Sequence, residues 1–234
     1  MYCIDHISRR DYIPMHPPNF PKIQIEDNFL SQSECDKLVE CVLDLPQATN
    51  LTPGVFDENY SNFSMIFNKY SKDDFLKNPH NLKPIYDIFE KIKLPNTNAY
   101  FFNPVILNGS NIVNPKKQSG IGYHYDGGSI GVCDENGRYY LAVCSTILYI
   151  KIPKVFIGGE LKIHDFGYYE CHNPGETRVK PKIGRKVTFR GDMRHAVSPI
   201  YSNENTQRIS LAFDQYNIPE DRLNETSFRI CYPT

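Results

Sequence analysis

The feature that most restricts this chain is a change of hydrophobic period near residue 96. Before it, two segments carry a helical stripe. Ser31 and Glu34 form a Ser-x-x-Glu capping box, Cys35, Leu38, Val39, Val42 and Leu43 recur at helical spacing behind it, and Pro46 stops the run. A second helix is expected from about Asn81 to Lys93, with Ile85, Ile88, Phe89 and Ile92 on one face and Pro95 beyond. After residue 96 the helical period disappears. Short strand-like runs take over at 98–107, 121–126, 139–151, 156–164, 186–190 and 207–216, each bounded by Gly, Pro, Asn or Asp, and a further alternating run, 22–26, precedes the first helix. Helices followed by strands, without a βαβ rhythm, predict a mainly β (α+β) chain, a sandwich or jelly roll with its early helices packed on one outer face.

Composition agrees and removes several functions. Sixteen Tyr, fourteen Phe and seventeen Pro favour strands broken by turns. The 234 residues suit one domain: a first strand and supporting helices over about 1–96, a jelly-roll core over about 97–216 and a C-terminal tail over 217–234. Twenty-six Lys and Arg against twenty-seven Asp and Glu leave a formal charge of -1, which supplies no field for gripping nucleic acid or an acidic membrane. The chain has no run of eighteen apolar residues and its start carries no signal-peptide stretch, so a cytoplasmic protein is expected. Its seven Cys, an odd number without a C-x-x-C pair, read as small apolar side chains in a reducing compartment. Segments 107–120 and 127–138 are the expected mobile loops at the barrel mouth.

The chemistry is concentrated in three stretches. In GIGYHYDGG, His124 and Asp126 are two apart, so strand alternation lets both point the same way. A lone H-x-D pair is ordinarily a surface feature and needs a third ligand. His195, in FRGDMRHAVSPI, follows the apolar strand KVTF and a turn at Gly191-Asp192, and can return a second imidazole from a distant strand. Two His and one carboxylate leave three coordination positions open, the arrangement of non-haem Fe(II) oxygenases. In QRISLAFDQY, Arg208 and Ser210 fall on one face and Ile209, Leu211 and Phe213 on the other. Arg binds a carboxylate with two parallel hydrogen bonds, so a dicarboxylate such as 2-oxoglutarate can chelate iron at one end and rest on Arg208 and Ser210 at the other.

These stretches, in this order, resemble the Fe(II) and 2-oxoglutarate-dependent dioxygenases, nearest to the prolyl 4-hydroxylase-like branch. IEDNFLSQSECDKLVE is similar to its opening strand and helix, HYD to its H-x-D, and STILYIKIPKVFIGGELKIHDF to its strand, loop and Gly-Gly-Glu segment. KPKIGRKVTFRGDMRHAVSPI resembles the strand leading to the distal His, and QRISLAF carries Arg-x-Ser where many prolyl hydroxylases use Lys. The resemblance covers most of the chain. It implies a double-stranded β-helix and a catalytic iron held by His124, Asp126 and His195. It also implies 2-oxoglutarate held by Arg208 and Ser210, O₂ as oxidant and ascorbate as an accessory reductant. The implied reaction hydroxylates an unactivated C–H on an amino-acid side chain, free or in a peptide; the alternative is hydroxylation or desaturation of a small secondary metabolite. With Asp126 present, the position that halogenases of this group free for chloride is occupied.

Two other classes stay open on the residues alone. A cupin-like metalloprotein working without O₂ has no need of Arg208 and Ser210 facing its metal. A non-catalytic barrel has no need of an intact His124, Asp126, His195 and Arg208. Other polar residues have plainer readings. His164 and His172 flank a loop, but alternation from Leu161 and Ile163 turns His164 away from the core. Tyr149 and Thr146 read as packing, Arg178, Arg185, Arg190 and Arg194 as solvated rim charge, and Gly158-Gly159 as a tight turn.

Overall fold

The computed structural model describes residues 12–13, 20–45, 63–108, 120–167, 175–202 and 207–231. The elements in chain order are β1 (Tyr12–Ile13), β2 (Ile23–Glu26), α1 (Gln32–Leu43), β3 (Ser64–Asn68), α2 (Lys72–Leu76), α3 (Lys83–Ile92), β4 (Ala99–Asn108) and β5 (Ile121–His124). Next come β6 (Tyr139–Tyr140), β7 (Cys144–Lys151), β8 (Ile157–Gly158), β9 (Leu161–Gly167), β10 (Glu176–Val179) and β11 (Lys186–Arg190). The chain closes with β12 (Met193–Val197), β13 (Ile200–Tyr201), β14 (Gln207–Tyr216), a 3-10 helix (Glu220–Thr226) and β15 (Arg229–Cys231).

Two antiparallel sheets make the jelly roll. The larger has seven strands in the order β15-β3-β4-β14-β7-β11-β2, the smaller four in the order β10-β9-β12-β5. Their facing sides share an apolar layer in which Val105, Leu107, Tyr149, Val187 and Phe189 of the large sheet meet Leu161, Ile163 and Met193 of the small one. The other side of the large sheet carries Phe102, Ile106, Leu148, Ile150, Ile209, Leu211 and Phe213, and the helices cover it with Cys35, Leu38, Val42, Ile85, Ile88 and Phe89. Each such large apolar side chain contributes roughly 1.5–3 kcal/mol when fully buried, so this outer layer holds the sheet rigid behind the site.

Local chemistry explains the elements. At α1, Ser31 Oγ accepts from the Glu34 amide and the Ser31 amide donates to the Glu34 carboxylate, completing the expected box. Lys91 of α3 reaches Glu34 at 2.5 Å, and this contact pulls the Glu34 carboxyl down to about 2. The turn from β8 into β9 needs its two glycines: Gly158 and Gly159 have φ of 79° and 70°, and a Cβ on Gly158 would sit 2.0 Å from the Pro199 carbonyl oxygen.

Several boundaries differ from expectation. The expected helix 81–93 is Lys83–Ile92, the 121–126 run leaves its ladder at His124, and 139–151 is broken between β6 and β7. The segment beyond 216 adds β15 to the edge of the large sheet by pairing with β3. Loop 127–138 packs inward on Ile130 and Val132. Of 107–120, residues 109–119 lie outside the described residues. Among the described residues, Cys35, Cys41, Cys133, Cys144 and Cys231 are free thiols, with Cys144 pushed up to about 12 by burial. No helix among the described residues is long and apolar enough to cross a membrane.

Candidate metal and cosubstrate centre

The site forms where β5 and β12 of the small sheet face the inner side of the large one. β12 follows β11 through Gly191, and the turn is locked by Arg190, which donates from Nε and a terminal nitrogen to the two Asp192 oxygens at 2.8 and 2.7 Å. Both partners are buried, so Arg190 is not the rim charge expected of it; its bidentate pair is fixed geometry under the strand that carries His195. His195 then falls opposite His124 in the β12–β5 ladder. Asp126 lies past the end of β5.

The structure brings His124, Asp126 and His195 together, with one ligand-type atom from each within 4.8 Å of the others. His195 Nε2 lies 3.4 Å from Asp126 Oδ2, and His124 Nε2 lies 3.7 Å from Asp126 Oδ1. Each imidazole Nδ1 faces a backbone carbonyl, Gly122 at 2.8 Å for His124 and Met193 at 3.1 Å for His195. A carbonyl only accepts, so in each ring Nδ1 is the donor and Nε2 is the nitrogen turned toward the carboxylate. Burial lowers the His195 pKa to about 4, against the opposing pull of Asp126, which keeps the ring neutral. Two imidazole nitrogens and a carboxylate converge. That donor set fits a divalent cation.

Arg208 supplies the second requirement. It is 1% exposed, and its Nε and one terminal nitrogen are buried without a hydrogen-bond partner. Its guanidinium carbon lies 5.0 Å from the centre of the Tyr149 ring, and the fully buried Tyr149 hydroxyl lies within electrostatic reach of the guanidinium. A buried guanidinium with unused donors is costly unless an anion completes it, so these residues fit a carboxylate. Ser210 shares the Arg208 face and is 2% exposed, opposite Tyr149 in the β14–β7 ladder.

Three residues in the site were not singled out from the sequence as members. Tyr149, taken as packing, lines the guanidinium pocket. Ser145 and Asp214 are cross-strand partners on the same inner face, and Ser145 Oγ donates to Asp126 Oδ2 at 2.5 Å. Burial, and next the Asp126 charge, push the Asp214 carboxyl well above its ordinary range. The alternation Arg208, Ser210, Ala212, Asp214 was the available signal; it needed only to be carried two steps further. Thr146 faces the other way, toward Thr188 at 3.2 Å. His164 sits against Tyr123 on the far side of the small sheet, away from the three converging groups, and His172 lies outside the described residues. The remaining arginines are engaged separately: Arg178 with Glu176 at 2.7 Å, Arg185 with Asp27 at 2.6 Å, and Arg194 over the Tyr123 ring.

No family model matches the sequence, and no curated protein matches it. Solved structures do match. A prolyl hydroxylase from Trichoplax adhaerens, in complex with a hypoxia inducible factor oxygen degradation domain peptide fragment, superposes with a TM-score of 0.52 at 14% identity, covering 88% of this chain and 87% of its own. IDO from Bacillus thuringiensis matches with a TM-score of 0.50 at 15% identity, covering 84% of this chain and 91% of its own. The chain has the fold of these proteins, a mainly β jelly roll built as a double-stranded β-helix.

Proposed function

We propose that this chain is an Fe(II)- and 2-oxoglutarate-dependent oxygenase that hydroxylates an unactivated C–H bond of an amino-acid side chain, free or in a peptide. The observation that carries the proposal is the pairing of two unmet demands on one inner face. Three ligand-type groups converge as a cation requires, and a buried guanidinium on the same inner face has donors left over for an anion. Iron with 2-oxoglutarate meets both at once. A metalloprotein working without a dicarboxylate would leave Arg208 unexplained.

In this reading His124 and His195 hold the metal through Nε2, and Asp126 adds the single negative charge. Arg208, with the Ser210 and Tyr149 hydroxyls, binds the far carboxylate of 2-oxoglutarate and so orients its 2-oxo acid end toward the metal. Val105, Leu107, Phe189 and the Tyr149 ring keep water away. Bound iron and 2-oxoglutarate supply the oxidising chemistry, in which O₂ is consumed, 2-oxoglutarate becomes succinate and CO₂, and one oxygen atom enters the substrate. Ascorbate as an accessory reductant, a cytoplasmic setting and a single domain over 1–234 belong to the same proposal. The peptide in the Trichoplax adhaerens complex supports a peptide-borne substrate. The test is a screen of free amino acids and peptides for succinate formation above the uncoupled rate, read by mass spectrometry for a gain of one oxygen atom. Stimulation with that gain is expected; 2-oxoglutarate left unconsumed with Fe(II), O₂ and every candidate present overturns the proposal.

A further inference from the structure

Asp126 is placed differently from the two histidines. His124 and His195 lie inside a strand ladder and are register partners, so the backbone holds them. Asp126 comes after β5 has ended, and its backbone is tied down by three contacts beyond the ladder. The Ala142 amide donates to its carbonyl at 3.2 Å, the Tyr216 hydroxyl to the same carbonyl at 3.3 Å, and Gly127 bridges Leu141. None of these sets the rotation of the carboxylate. The Ser145 hydroxyl does, by donating to Oδ2 at 2.5 Å from a fully buried position on β7. Ser145 is held in turn by the strand on either side, with Asp214 of β14 and Phe189 of β11 as its cross-strand partners. Asp214 makes a second side-chain hydrogen bond with the Asp126 carboxylate, so Ser145 and Asp214 meet it from the same face.

We infer that Ser145 is a positioning residue which, through its hydroxyl, fixes the Asp126 carboxylate in register with the two imidazoles for metal binding. The inference rests on the function proposed above, because it presumes that Asp126 is a ligand. A carboxylate free to turn must be ordered by the metal at the moment of binding, whereas one already held loses little freedom. Removing a hydrogen-bond partner of a metal ligand typically weakens metal binding by about 10–100-fold.

The experiment is a titration of the intact protein with Co(II) alone, followed by its visible d–d absorption, for the unaltered chain, Ser145→Ala and Ser145→Thr. Ser145→Ala is expected to bind Co(II) about 10–100-fold more weakly with an altered band shape. Ser145→Thr, which keeps the hydroxyl, is expected to stay within about threefold and keep the band. Circular dichroism melts of the metal-free proteins run alongside, since a merely structural role for Ser145 would lower the melt and leave affinity and spectrum unchanged. Unchanged Co(II) affinity and band in Ser145→Ala, or equal losses in Ala and Thr, would overturn the positioning role while leaving the proposed function standing. No saturable Co(II) binding by the unaltered chain would instead overturn the proposed function.

Discussion

His124 and His195 stand opposite each other on neighbouring antiparallel strands, their ring centroids 4.3 Å apart, although 71 positions separate them in sequence. The two differ in surroundings. His195 is buried edge-on to Phe189 at 4.8 Å, while the His124 side chain keeps 24% of its surface. His124→Ala is therefore expected to abolish metal binding with almost no change in melting temperature. His195→Ala is expected to abolish it as well and to lower the melt, because it empties ring volume from a packed layer. Metal content after reconstitution, with a melt of each variant, checks both.

Arg208 gives opposite signs for stability and for binding. Without its anion the buried guanidinium is a cost to the fold, so Arg208→Leu should melt at or above the unaltered protein in the absence of ligand. The same variant should lose about 3–5 kcal/mol of 2-oxoglutarate binding, with metal affinity nearly unchanged. Arg208→Lys should recover part of the loss, since it restores the charge without the fork. Isothermal titration with 2-oxoglutarate at saturating Mn(II) provides the comparison.

The capping box and the Lys91 contact predict a stability step in acid. The Glu34 carboxyl is held near 2 in the folded chain against an ordinary 4.5, chiefly by Lys91 and next by Ser31. A depressed carboxyl contributes fully above its unfolded value, and the contribution fades as pH falls from about 4.5 toward 2. Glu34→Gln should thus narrow the stability gap between pH 6 and pH 3. Ser31→Ala, which removes the cap donor-acceptor pair, should cost about 1 kcal/mol near neutral pH. Urea melts across the range read both.

Much of this architecture was legible because the faces of an element differed. The α1 stripe and its cap report one buried side, and in β14 the two buried faces differ in chemistry, Arg208 and Ser210 on one and Ile209, Leu211 and Phe213 on the other, so the alternation survives. β3 was not legible: every residue of Ser64–Asn68 is buried, so no alternation survives in SMIFN. β12 was foreseen only as a distant strand carrying His195 and could not be delimited, because Met193, His195, Ala196 and Val197 are all buried and its pairing with β9 shifts register between Met193 and His195. Ser145 escaped for another reason. Its role depends on Asp126 having left the strand, and the end of a ladder is a tertiary outcome that no local pattern in GIGYHYDGG encodes.

The central claim is that one face holds iron and 2-oxoglutarate together, and anaerobic visible spectroscopy tests it most directly. Adding Fe(II) and 2-oxoglutarate to the unaltered chain should produce a weak charge-transfer band that saturates with 2-oxoglutarate. The band should be absent in His195→Ala, and in Arg208→Leu it should reach saturation only at far higher 2-oxoglutarate. A colourless mixture with the unaltered chain, or a band indifferent to both substitutions, would contradict the account.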